Sequence, residues 1–192
     1  VGGGMAQGGK EMNRGKQQSV ECHDGLGGLS KTGGVRETRG IFPGKSDSQV
    51  VEAAYRSGKL ELELVPQGNL AERIRAAGAG IGAFFTPTGY GTELARNADG
   101  SAKETREING RHCVLEMPIH GDVALIKAEK GDRWGNLTYR MAARTFGPVM
   151  ATAARKPVAT VHESVELRAL EPENLLTPAI LQSRAGRDRS AA

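Results

Sequence analysis

The sequence predicts an α/β domain: a largely parallel sheet flanked by helices, preceded by an irregular N-terminal segment. Three observations carry this. Short strands alternate with short helices from residue 45 onward, the order that builds a parallel sheet. Leu60–Gly78 reads as one strand–polar turn–helix unit. An apolar run, Val123-Ala124-Leu125-Ile126-Lys127-Ala128, has the composition of an interior strand. The 192 residues suit one domain. The expected division is a glycine-rich, poorly ordered or degraded segment over 1–44, an α/β domain over 45–181 and a basic tail over 182–192.

Residues 1–44 hold thirteen of the 27 glycines and show neither helical nor strand periodicity, so they lack the apolar surface to offset ordering entropy. Ser46 or Asp47 can cap a helix whose apolar face is Val50, Val51, Ala54 and Tyr55, stopped by Gly58. Leu60, Leu62 and Leu64 alternate with Glu61 and Glu63 as in a half-buried strand, which Val65-Pro66 ends. Asn69 with Glu72 reads as a capping box for a helix with Leu70, Ile74 and Ala77 on one face and Gly78 as its C-cap. Gly78, Gly80, Gly82, Gly89 and Gly91 then fall within fourteen residues, alongside Thr86, Pro87 and Thr88. Asn97–Gly100 is a turn, Cys113–Met117 a short strand, Gly131–Asn136 a loop and Leu137–Arg140 a strand. Pro148 fits the first position of a helix carrying Val149, Met150 and Ala153. Pro157–Val161 and Val165–Leu167 are strand-like, and Leu175–Leu181 is apolar but broken by Pro178.

The formal charge of +4 and the pI near 9.2 invite a nucleic-acid reading. The charge lies in the ends. Residues 1–45 carry seven basic and four acidic side chains, residues 182–192 three and one, and residues 46–181 sixteen and seventeen. A near-neutral folded part lacks the electrostatic footprint of a nucleic-acid binder. No apolar run is long enough to span a membrane, and no signal-peptide pattern is visible. Two cysteines, Cys22 and Cys113, fit a reducing cytoplasm better than a disulfide framework.

The candidate chemistry centres on Gln67-Gly68-Asn69. An amide at a strand's carboxyl end, backed by a helix N-terminus, can stabilise a developing oxyanion; the plainer alternative is a capped turn. The glycine loop, with Gly80, Gly82, Thr86, Gly89 and Gly91, allows backbone to approach a ligand, or its glycines serve turns alone. Its spacing is G-x-G-x-G after a helix, not the dinucleotide fingerprint. His112, Cys113 and His120 do not make a metal site, because neighbours on a strand face opposite ways; no metal is expected. Lys130–Arg133 reads as a solvated turn, in which Asp132 and Arg133 offer a pair across a subunit interface, and Trp134 as a packing anchor.

Two blocks resemble the A-type subunit of the family I coenzyme A transferases, the 3-oxoacid and 3-oxoadipate enzymes. One is PQGNLAERIRAAGAGIGAFFTPTGYGT, residues 66–92. The other is KETRE at 103–107, ALIKA at 124–128, KGDRWGNLTYR at 130–140 and AARTFGPVMA at 142–151. The resemblance runs from about Phe42 to Ile180. It implies a transferase acting on a coenzyme A thioester as substrate, with no further cofactor. It places Gln67 beside the reacting thioester and Gly68, Asn69 and the glycine loop around the substrate. The nucleophilic glutamate of the family belongs to the B-type CoA-transferase subunit, so Glu116 is not that nucleophile. The expected partner is that B-type subunit, in a heterodimer or heterotetramer. The family's N-terminal glycine loop and paired asparagines are not matched: Gly2-Gly3-Gly4 and Gln17-Gln18 stand in this part of the chain. The resemblance implies transfer from succinyl-CoA to a 3-oxo acid, 3-oxoadipate first and acetoacetate as the alternative. A remnant that docks on the B-type partner without turnover, and a free-standing nucleotide-binding module, are the rival readings.

Overall fold

The computed structural model describes residues 3–7, 16–20, 37–40, 49–97, 99–181 and 184–187. Its strands, in chain order, begin with β1 (Gly3–Gln7), β2 (Lys16–Val20), β3 (Glu37–Gly40) and β4 (Glu61–Leu64). There follow β5 (Phe84–Thr86), β6 (Thr105–Ile108), β7 (Arg111–Glu116), β8 (Gly121–Gly131), β9 (Leu137–Thr138), β10 (Ala154–Ser164) and β11 (Arg184–Arg187). Among the described residues three α-helices accompany them: α1 (Gln49–Arg56), α2 (Gln67–Gly78) and α3 (Ala143–Ala153). The main sheet runs in the order β11-β10-β8-β1-β2-β3-β4, with β9 paired to β8. Pairings β2/β3, β3/β4, β8/β10 and β10/β11 are parallel, whereas β1 runs antiparallel to both β2 and β8. A second sheet, β5-β7-β6, is antiparallel.

The core forms where α2 and α3 lie on β8 and β10. Ala124, Ile126 and Ala128 of β8 alternate inward, as period 2 requires, and meet Leu70 and Ile74 of α2 and Phe146, Met150 and Ala151 of α3. Leu125 and Lys127 face the other way and are exposed, so the apolar run is buried on one side rather than both. Tyr139 is buried, with its hydroxyl 2.7 Å from Thr177 Oγ1. Burial pushes the phenol up to about 12, against the opposing hydrogen bond.

Helices α2 and α3 touch at a glycine. A Cβ on Gly78 would overlap Thr152 Oγ1 and stand 2.5 Å from Thr152 Cβ, so this position serves close approach. The left-handed residue after α2 is Gly80, at φ 71°, and not Gly78. Gly78→Ala therefore destabilises the fold by about 1–3 kcal/mol through overpacking, despite alanine's better helix propensity. In urea melts, Thr152→Gly recovers part of that loss in the double variant while destabilising the parent.

Several elements differ from expectation, each for a physical reason. Three strands, β1 to β3, arise within residues 1–44 without an apolar pattern. Their backbone groups are satisfied by ladders on neighbours, which needs no side-chain periodicity; the remainder of that segment, and the Ser46 or Asp47 cap, lie outside the described residues. In β4 the leucine face is buried only at its start: Leu60 is buried, Leu62 is half-buried and Leu64 is exposed, while Val65 beyond the strand is buried. Pro148 sits inside α3, not at its start. The helix begins five residues earlier and forgoes one internal bond, and it buries Phe146, Met150, Ala151 and Ala153 in return. Residues 165–167 form no strand: the Val165 N–H reaches Gly131 O, and Arg168 turns the chain at φ 69°. Asp132 is buried and not solvated, since its carboxylate accepts from Trp134 N, Asn136 N and Asn136 Nδ2 at 3.0, 3.0 and 2.7 Å. Trp134 is 62% exposed and anchors no core.

Candidate functional site

The site is built where α2 begins. Pro66 is its N-cap, at φ −54° and ψ 141°, and no side chain caps it. The helix thus starts at Gln67, two residues before the predicted cap. Its first N–H groups have no acceptor one turn back, and no acidic residue stands in its first turn. Gln67 and Gly68 are exposed at this positive end of the helix dipole. The arrangement suits a developing negative charge.

Asn69 does not cap. One turn into a helix its side chain points inward, and it is only 4% exposed. Its Nδ2 donates to Thr88 O at 3.3 Å and to Glu116 Oε1 at 3.2 Å. Glu72, its predicted capping-box partner, pairs on the surface with Arg75 at 2.8 Å. A single buried amide therefore ties the start of α2 to the turn following β5 and to strand β7.

Behind Asn69 lies a chain of alternating charges. Glu116 is 2% exposed; Lys103 Nζ lies 2.9 Å from its Oε1, and Arg73 Nε 3.6 Å from its Oε2. Arg73 also donates to Met117 O at 2.9 Å and, through Nη1, to Glu63 Oε1 at 2.8 Å. Arg39 on β3 continues the chain from Glu63 to Glu37. Burial would raise the Glu63 carboxyl, but the charge and hydrogen bond of Arg73 and the charges of Arg39 and Lys103 outweigh it and hold the group below its ordinary value.

The glycine-rich stretch divides between two places. Gly80 and Gly82 follow the carboxyl end of α2, and a twelve-residue helix separates them from Gln67 by roughly 16 Å along its axis. Thr86, Gly89 and Gly91 come back to the N-terminal end. Thr86 Oγ1 accepts from Thr88 N at 3.3 Å, and Thr88 O is the acceptor for Asn69. Gly89 and Gly91 have φ of 91° and 75°, which favour glycine and let the turn close through Tyr90 N→Pro87 O and Thr92 N→Gly89 O. Tyr90, at the tip, stacks on His112 of β7 with ring centroids 4.8 Å apart. The structure thus gathers Gln67, Gly68, Asn69, Thr86, Gly89 and Gly91, and sets Gly80 and Gly82 apart.

Sequence reasoning missed Glu116, Lys103 and Arg73 as parts of this site; it placed a strand at Cys113–Met117, observed as β7, but missed β5, β6 and the turn that joins β6 to β7. A signal existed for the hairpin: Asn109-Gly110, at φ 51° and 73°, is the dipeptide of a two-residue turn. His112 is exposed and Cys113 buried, on opposite faces of β7. Among the described residues no group of three His, Cys, Asp or Glu is placed to hold a metal ion.

Known proteins share this sequence and fold. The family model described as Coenzyme A transferase matches residues 17–184. The A-type subunit of the 3-oxoadipate CoA-transferase of Pseudomonas putida is 55% identical over 184 residues, covering 96% of this chain and 78% of that protein. The A-type subunit of the succinyl-CoA:3-ketoacid coenzyme A transferase of Xanthomonas campestris is 49% identical over 160 residues, covering 83% of this chain and 63% of that protein. An acyl-CoA transferase of E. coli O157:H7, solved as a thioester complex with CoA, superposes with a TM-score of 0.73 at 20% identity over 88% of this chain and 35% of that one, a likeness of fold.

Proposed function

The chain belongs to the coenzyme A transferase family, and we propose that it is the A-type half of a two-subunit cytoplasmic enzyme moving coenzyme A from succinyl-CoA to a 3-oxo acid, with 3-oxoadipate as acceptor. The similarity to the A-type half of a 3-oxoadipate CoA-transferase along nearly the whole chain carries this reading. The B-type partner completes a heterodimer or a heterotetramer and brings the nucleophile, a glutamate. Among the described residues no helix is long and apolar enough to cross a membrane.

The chemistry is covalent catalysis in balanced steps. The partner's glutamate carboxylate attacks the succinyl thioester carbonyl and expels CoA thiolate, leaving a mixed anhydride. The thiolate attacks the glutamyl carbonyl and releases succinate. The acceptor carboxylate then attacks the glutamyl thioester, again expelling thiolate, which takes the acceptor's acyl group and frees the glutamate. Each attack builds negative charge on a carbonyl oxygen. In this chain the Gln67 side-chain amide and the first N–H groups of α2 stabilise that charge. The turn bearing Thr86, Gly89 and Gly91 walls the same side and keeps water from the anhydride.

The test is reconstitution. The chain and a matching B-type partner, purified together, form 3-oxoadipyl-CoA from succinyl-CoA and 3-oxoadipate, with a lower kcat/KM for acetoacetate. Neither polypeptide turns over alone. A stable complex without exchange, or exchange by this chain unaided, overturns the proposal; a preference for acetoacetate reassigns the acceptor.

A further inference from the structure

We propose that Glu116, a buried carboxylate with no part in the covalent steps, is a positioning residue that sets the distance between Gln67 and the 86–91 turn. The inference rests on the reading of that site given above. Three observations converge. Asn69 Nδ2 carries two hydrogens and has two acceptors, Thr88 O and Glu116 Oε1, at 3.3 and 3.2 Å. Among the described residues the second acceptor is what turns the amide toward the first. Glu116 is in turn fixed by Lys103 Nζ at 2.9 Å and faces Arg73 at 3.6 Å, partners that a buried carboxylate needs. Finally, Asn69 is two residues from Gln67, on the same rigid turn of α2, while Thr88 stands between Thr86 and Gly89.

The consequence is specific. The Glu116 charge is relayed through one side chain to two backbone segments that are distant in sequence and must present their amides to one substrate. A neutral replacement weakens the Asn69 contact and lets the 86–91 turn drift from α2 without unmaking either sheet. A Glu116 that merely balanced two cations would be indifferent to Asn69.

The experiment uses Glu116→Gln, Asn69→Ala and the double variant. Hydrogen exchange on the full chain reads the turn, and kinetics on the complex with the B-type partner read the site. Glu116→Gln speeds amide exchange of residues 86–92 about tenfold and leaves β8 and β10 unchanged. It lowers kcat about tenfold with KM for succinyl-CoA within about twofold. Asn69→Ala does the same, and the double variant is no worse than Asn69→Ala alone, the non-additivity of a shared path. Two results overturn the proposal: exchange and kcat that stay at wild-type values while only the melting temperature falls, or effects at 69 and 116 that multiply. Should Glu116→Gln not fold, Glu116→Asp decides by the same exchange readout, because it keeps the carboxylate but draws it back from Asn69 Nδ2. A wild-type complex that fails to move coenzyme A refutes the proposed function, whereas the exchange result on the chain alone still decides the role of Glu116.

Discussion

Replacing Gln67 by alanine lowers kcat of the assembled transferase by about a hundredfold to a thousandfold, the usual loss when one donor to a developing oxyanion is removed. The expectation follows from where the residue stands. Gln67 is the first residue of α2, exposed, and among the described residues its side chain has no partner inside the chain. It supports no fold contact that its loss would break, so the melting temperature stays at the wild-type value. Because the charge exists only in the transition state, kcat and kcat/KM fall together while KM holds. Gln67→Glu is worse than Gln67→Ala, since a carboxylate replaces a donor by an acceptor of like charge. Steady-state kinetics on the three complexes checks the order. A Gln67→Ala enzyme at full speed removes the residue from the site and leaves the helix N–H groups as its only donors.

Arg73→Met is expected to cost about 3–5 kcal/mol of stability at neutral pH, the penalty for breaking a buried ion pair by removing one partner. Arg73 is 6% exposed and binds three oxygens at once: Glu63 Oε1, Met117 O and, at longer range, Glu116 Oε2. Its loss strands two carboxylates with one cation each, Arg39 for Glu63 and Lys103 for Glu116. Methionine fills the stem's volume but neutralises nothing. The pH dependence has a definite sign. The folded Glu63 carboxyl is held below its ordinary value of 4.5, chiefly by Arg73 acting against the burial that would raise it. Its contribution is therefore fully present above about pH 4.5 and is lost as pH falls through the depressed folded value. Urea melts of wild type and Arg73→Met keep a constant gap from about pH 6 to 8, and the gap narrows below about pH 4.5. A gap that does not change with pH assigns the loss to packing.

The residues that could be read from the sequence are those whose role is local. The alternation Ala124, Ile126, Ala128 marks a strand face, and it buries that face on α2 and α3. Leu70, Ile74 and Ala77 recur at helical spacing, and all three enter the core. Asn69 shows the limit. Asparagine near a helix start is most simply a cap, yet its partners lie 19 and 47 residues further along the chain, and no local pattern announces them. The charges of Glu63, Arg73, Lys103 and Glu116 look like ordinary surface residues until β4, α2 and β7 are brought together. Trp134 failed for the converse reason: an indole looks like an anchor, but Asp132 uses its own loop's amides to turn the chain, and this leaves the ring outside. The strand–turn–helix order pointed to Gln67 as a candidate, and the family resemblance added the expectation that it lies beside the thioester.

The place of β1 bears on how the chain acquires its shape. Gly4 pairs with Ser19 on one side and with Leu125 on the other, and among the described residues this strand alone joins β2-β3-β4 to β8-β10-β11. A nascent polypeptide presents this segment well before its second neighbour, β8, has been synthesised. Closure of the sheet thus waits on a contact of high sequence separation, the kind that slows folding. Until then the two halves expose unpaired edges, which makes the interval before closure the period of greatest exposure to misassociation.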